Sequence, residues 1–284
     1  MSERAVPSDR SDSRRPAPSD SRVWPFFATV IALTWGLQLP VVLVQRGLLD
    51  GPLERFLPLA MLGTFGPVLA AVLVCVREAG LAGMRLPFRG LRVRRLGARW
   101  YLLALLGLTA LHVAGVAVYA LAGGSAAGRW LYLPQNAQHV AAMLLIPWAE
   151  EPGWRGLALP RLRARWSPLA SALILGGVWG AWHTMMFSFQ GLTPVQLAFA
   201  YLNILAGSVL FSWLYEHTQG SLWIAVVAHM GAHLNNPTRA LPGDLAPFAI
   251  YTFALCAAAM ALVLADRARW LRSEGTRATA LDTA

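Results

Sequence analysis

The stretch Val140-Ala141-Ala142-Met143-Leu144-Leu145-Ile146-Pro147-Trp148-Ala149-Glu150-Glu151-Pro152-Gly153-Trp154-Arg155-Gly156 runs an apolar segment directly into two adjacent carboxylates. A charge at membrane depth costs about 2.5–3.5 kcal/mol even on insertion-derived scales, so intramembrane acids are functional candidates. Later apolar segments carry His183, His229 and His233. Carboxylates and imidazoles embedded in apolar sequence are the ingredients of a water-activating site inside a bilayer.

Composition supports the membrane setting. The chain is 56% hydrophobic and 13% charged, with a mean hydropathy of +0.49, whereas soluble domains carry about 25% charged residues. Apolar blocks of about 20 residues, long enough to cross a ~30 Å hydrocarbon core as helices, lie at 23–44, 56–76, 100–122, 140–149 with its continuation, 168–189, 195–215, 222–234 and 246–265. This predicts an all-α polytopic membrane protein of about eight transmembrane helices, forming one domain over 23–265. Residues 1–22, rich in Ser, Pro, Asp and Arg, read as a disordered cytoplasmic tail, and 266–284 as a C-terminal cytoplasmic tail. The first apolar run is too long for a signal-peptide core and has no small-residue cleavage site.

The net charge of +10 is carried by 24 basic residues, all of them Arg. They fall between spans rather than along one face, which speaks against a nucleic-acid surface and for a topology signal. Arg clusters at 77–99, at Arg155, Arg161, Arg163 and Arg165, and after the last span are expected on the cytoplasmic side. Both termini are then cytoplasmic, in a multi-pass protein of the inner (plasma) membrane. The 77–99 stretch, with Gly83, Pro87 and Gly90, reads as an interfacial segment or loop that favours anionic lipid. Cys75 and Cys256 both fall within spans and imply no disulfide framework.

Three pieces carry the candidate chemistry. On a helix, Glu151 and Arg155 are four apart with the acid first, the better orientation for an ion pair. Glu150 points about 100° away, so one carboxylate is neutralised while its neighbour stays free. Pro152 lacks an N–H for the carbonyl of Trp148 and predicts a kink or restart, which membranes tolerate where irregular backbone lines a cavity. The pair can equally cap the end of a span. Next, Trp179-Gly180-Ala181-Trp182-His183 places an indole one turn before an imidazole, and Gly176, Gly177 and Gly180 allow a neighbouring helix close. Third, His229 and His233 share one helical face, with Asn235 and Asn236 just beyond, although no H-E-x-x-H motif is present. Interhelical hydrogen bonding accounts for either histidine piece taken alone. His112, His139 and His217 have no acidic partner and receive no role, and Asn203 reads as interhelical glue.

Together the order Glu-Glu-x-x-x-Arg, aromatic-x-x-x-His and His-x-x-x-Asn resembles the CPBP intramembrane proteases, also called the CAAX prenyl protease or Abi family. The resemblance covers roughly residues 140–240 and extends to Gly156-Leu157-Ala158-Leu159-Pro160 and Gly220-Ser221-Leu222-Trp223. It implies an endopeptidase that cuts membrane-associated peptide or protein substrates with activated water. In that pattern Glu150 is the general base, His183 helps hold the water, Glu151 pairs with Arg155, and His229 with His233 stabilises the oxyanion.

Two departures stand out. Trp179 replaces the usual Phe, and His233 stands where the family has Asn or Asp. Either His233 supplies the same hydrogen bond, or Asn235 or Asn236 does, or a third imidazole makes a divalent ion such as zinc plausible, with Glu150, His183, His229 and His233 as candidate ligands. Two rivals remain: a non-catalytic bacteriocin self-immunity or scaffold protein, and a proton-coupled transporter. A transporter predicts repeat symmetry or polar residues spread along several spans, whereas these gather in three helices.

Overall fold

The computed structural model describes residues 23–93, 95–237 and 245–272. The tail expected over 1–22 lies outside them, as does most of that expected over 266–284. The described residues form helices α1 (Val23–Gln45), α2 (Leu57–Gly63), α3 (Gly66–Ala79), α4 (Ala98–Leu121), α5 (Ala137–Gly153), α6 (Leu159–Arg163), α7 (Pro168–Gln190), α8 (Pro194–His217), α9 (Leu222–Leu234), α10 (Ala246–Ala265) and α11 (Arg267–Leu271). No strand occurs among them.

Each of the eight apolar blocks contains helix, although a turn at Thr64 and Phe65 splits the one expected at 56–76; six helical stretches are long and apolar enough to cross a membrane, and the second of these runs Gly66–Arg92, beyond the expected block. The remaining two blocks supply α5, of 17 residues, and α9, of 13. Length explains the difference. The helical backbone of α5 is interrupted after Gly153 by a π-turn, Trp154–Ala158, before it resumes as α6. Pro152 anticipates that irregularity, and π-turns recur at functional sites because they re-aim side chains within a continuous helix.

Helix starts follow local chemistry. Asn136 accepts from the His139 amide at 2.9 Å, and Ser167 accepts from the Ala170 amide ahead of Pro168. Thr193 and Gln196 form a reciprocal capping box. At its far end α7 stops at Gly191, whose φ of 68° is left-handed. Large apolar side chains such as Leu73, Leu103, Phe253 and Leu264 remain exposed, as suits helices that face lipid.

Packing brings the motif helices together. Among the described elements, α5 lies against α3 and α9, α7 against α1 and α8, and α9 against α4. Close approach depends on glycine. A Cβ at Gly153 would sit 2.6 Å from the Pro67 carbonyl oxygen of α3, and one at Gly231 would sit 2.7 Å from the Ala104 carbonyl oxygen of α4. Thr34 of α1 donates to the Gly63 carbonyl and accepts from Trp182 Nε1 at 2.8 Å, tying α1, α2 and α7.

The basic clusters differ from their expected placement in one respect. Arg155 is fully buried in the π-turn and Arg161, in α6, is 7% exposed, so neither sits in an exposed loop. Arg161 donates to both oxygens of Glu78, at 3.2 and 2.6 Å, and clamps α6 to α3. Paired charges can be buried where unpaired ones cannot. The 77–99 stretch contains a 3₁₀ segment, Gly80–Arg92, with Arg85, Arg89 and Arg92 exposed and Gly83 and Pro87 buried. The start of the expected C-terminal tail is helical, and Trp270 of α11 is buried.

Candidate active site

Glu150 and Glu151 end α5 in different environments, as their angular separation predicts. Glu151 is fully buried; its Oε1 accepts from Arg155 Nη1 at 3.0 Å and from His229 Nδ1 at 2.8 Å. Its Oε2 is buried without a protein partner among the described residues. Glu150, 3% exposed, accepts two indole N–H bonds on a single oxygen: Oε2 takes Trp179 Nε1 at 2.9 Å and Trp154 Nε1 at 3.2 Å. One carboxylate is thus engaged by the Arg155 guanidinium and the His229 ring, and the other is held by neutral indole donors.

The guanidinium of Arg155 is stabilised by more than its carboxylate. It lies 4.8 Å from the Trp179 ring centroid and 5.0 Å from that of Phe211. Desolvated cation–π contacts of this kind are worth about 2 kcal/mol or more, which suits a cation whose Nε and Nη2 lack protein acceptors.

His183 occupies the next turn of α7. Its Nδ1 hydrogen-bonds the Trp179 carbonyl at 2.8 Å, which fixes the proton on Nδ1 and leaves Nε2 as the basic nitrogen. His229 is fixed in the corresponding way by Glu151. Its ring stacks on that of His233 with centroids 5.2 Å apart and 11° between planes. Trp179 meets His183 and His229 edge-on, at 5.7 and 5.6 Å.

A cavity of about 320 Å³ opens beside these groups, with His183, His229, His233, Asn203, Asn236 and Tyr251 among its walls. Glu150 is not a wall residue; Trp179, which binds it, is. The structure thus gathers all six sequence-derived candidates, Glu150, Glu151, Arg155, His183, His229 and His233, through direct contacts among α5, the π-turn, α7 and α9. Of the two asparagines after α9, Asn236 lines the cavity. Asn235 is fully buried, and its Oδ1 accepts from the Tyr132 amide at 2.7 Å, anchoring the loop before α5.

Sequence reasoning undervalued two residues. Asn203, read as interhelical glue, is a cavity wall residue whose buried Oδ1 has no protein partner. Trp154 is a donor to Glu150, one helical turn away at the same i,i+4 spacing that pairs Glu151 with Arg155. The other histidines remain outside the site: His112 bonds the Arg129 carbonyl, His139 receives the Gln135 amide, and His217 bonds the Trp213 carbonyl.

The candidate metal ligands do not converge. Imidazole lone pairs lie in the ring plane, so the nearly parallel rings of His229 and His233 do not aim at a common ion. Among the described residues, no three His, Cys, Asp or Glu side chains are grouped as metal ligands.

Fold and site define an all-helical, polytopic membrane protein with a buried carboxylate–imidazole cluster beside a cavity. Residues 133–235 match the Rce1-like family model, described as type II CAAX prenyl endopeptidase Rce1-like. A CAAX prenyl protease 2 of Methanococcus maripaludis is 25% identical over 141 residues, which cover 47% of this chain and 51% of that protein. The chain therefore spans about half the length of the curated relative it matches. The family-model match falls on the segment that carries the three motifs.

Proposed function

We propose that the chain is an intramembrane endopeptidase that hydrolyses peptide bonds of membrane-associated substrates. The observation that supports this reading best is the division of labour between the two carboxylates. Glu151 is bound to Arg155 and His229, whereas Glu150 meets only neutral indole donors on Oε2. Oε1 of Glu150 and Nε2 of His183 then share one water. Glu150 removes its proton as the oxygen attacks the scissile carbonyl, and the proton passes to the leaving amine. His229, whose Nε2 donates when the ring is protonated, and His233, both on the cavity wall, donate to the developing oxyanion; one such donor is worth about 10²–10³ in rate. No step in this scheme requires a metal ion.

The concentration of polar groups beside one cavity favours this reading over a conducting path, and the bond from Trp179 of α7 to Glu150 of α5 favours it over a silent scaffold. The test is cleavage by the purified protein in lipid nanodiscs, read by mass spectrometry. One probe is a prenylated CAAX peptide, the substrate named by the relative, and the other is a membrane-anchored peptide without a prenyl group. Cleavage that disappears in Glu150→Gln, with the variant still folded, is the expected result. Cleavage that survives Glu150→Gln, or none of either probe by the wild type, overturns the proposal.

A further inference from the structure

We infer that Trp179 is a positioning residue that sets Glu150 and His183 relative to each other; the inference rests on the hydrolytic reading above. A buried Trp in a helix bundle is ordinarily a packing residue, and Trp179 is 6% exposed. Its contacts go beyond packing. The indole Nε1 donates to Glu150 Oε2 at 2.9 Å, and the backbone carbonyl of the same residue receives His183 Nδ1 at 2.8 Å. One face carries the Arg155 guanidinium, 4.8 Å from the ring centroid, and His229 meets the ring edge-on at 5.6 Å. A single residue therefore touches the carboxylate assigned as base, the imidazole assigned to hold water, the buried cation and an oxyanion donor.

The chemistry of that arrangement is specific. An indole N–H is a donor only, so it can orient a carboxylate but cannot take its proton. Held by Trp179 and Trp154, Oε2 has both contacts supplied by the protein, and Oε1 is the oxygen left for water. The His183 bond uses the backbone carbonyl, so it persists whatever the side chain at 179. Side-chain substitution therefore separates the two halves of the device: it removes the shorter of the two bonds to the carboxylate, leaving that from Trp154, and keeps the imidazole oriented.

The experiment compares Trp179→Phe and Trp179→His in nanodiscs. Phe keeps an aromatic ring without a donor, and His keeps a ring N–H. In Trp179→Phe, kcat falls about 10- to 100-fold, the scale of a lost hydrogen bond to a charged group, while KM changes by less than about two-fold. Trp179→His retains more turnover than Trp179→Phe. A second readout needs no substrate. The infrared carboxyl band that Glu150→Gln removes shifts in Trp179→Phe, because it reports the hydrogen bonds on that group. Unchanged kcat, equal loss in both variants, or an unmoved band in a folded Phe variant overturns the inference. If the wild type cleaves neither probe, the proposed function fails and the infrared band still judges the Trp179–Glu150 bond.

Discussion

Glu151 and His229 are 78 residues apart in the chain, and their side chains meet at 2.8 Å. The same oxygen of Glu151 also holds Arg155, so one carboxylate orients a histidine of α9 and neutralises a cation of its own helix. This contact joins the end of α5 to the cavity wall. It assigns Glu151 a positioning part distinct from that of Glu150.

Glu151→Gln is expected to cost about 3–5 kcal/mol in stability, because it leaves the Arg155 charge buried without its counter-ion. Both partners are fully buried, so solvent screening gives little relief. The double variant Glu151→Gln with Arg155→Met removes both charges and should recover much of that loss without recovering activity. Thermal unfolding in detergent measures the first two quantities and peptide cleavage the third. A double variant no more stable than Glu151→Gln would remove the electrostatic explanation.

Much of this site was legible along the helix. The i,i+4 pairing of Glu151 with Arg155 and the irregularity near Pro152 follow from spacing and from proline chemistry, and the structure contains both. Contacts between helices were less legible. Helices that are apolar on every side carry no stripe that says which face meets which neighbour. The bond from Trp179 to Glu150, the pairing of Glu151 with His229 and the placement of Asn203 all depend on that rotation. Counting Arg as loop residues also misread Arg161, whose carboxylate partner Glu78 on α3 only the packed helices reveal.

Gly176 and Gly177 were grouped as helix-contact residues, and the structure separates them. A Cβ at Gly176 would lie 2.9 Å from Ser208 Cβ of α8, whereas one at Gly177 meets nothing within 4 Å. Gly176→Ala should therefore destabilise by about 1–3 kcal/mol through overpacking. Gly177→Ala should stabilise by up to about 1 kcal/mol through helix propensity. Unfolding of the two variants under one condition compares the signs, and a shared sign would refute the packing assignment.

Topology can be tested at two exposed positions. With Cys75 and Cys256 replaced by Ser, a cysteine at Arg92, in the Arg-rich 3₁₀ segment, should resist an impermeant thiol reagent in intact cells. A cysteine at Ala127, in the loop between α4 and α5, should react. Both positions are exposed, so protection at 92 would report membrane sidedness rather than burial. Labelling at 92 with protection at 127 would invert the orientation expected from the positive-inside rule.

His233→Asn addresses the remaining departure from the family pattern. If His233 acts as a hydrogen-bond donor on the cavity wall, an Asn side chain supplies an N–H from the same helical position, and cleavage should stay within about ten-fold of wild type. A donor lost outright would instead cost about 10²–10³. If His183, His229 and His233 hold zinc, the same change removes a ligand that must sit ~2.0–2.1 Å from the metal. Activity would then collapse, and chelator would abolish turnover in the wild type. The 11° angle between the His229 and His233 rings favours the donor role, because parallel imidazoles direct their lone pairs along separate planes. Chelator-resistant cleavage together with an active His233→Asn is therefore the expected pair of results. Zinc-restored activity after chelation, with an inactive His233→Asn, would require the rings to rotate out of this stack and would replace the metal-free mechanism.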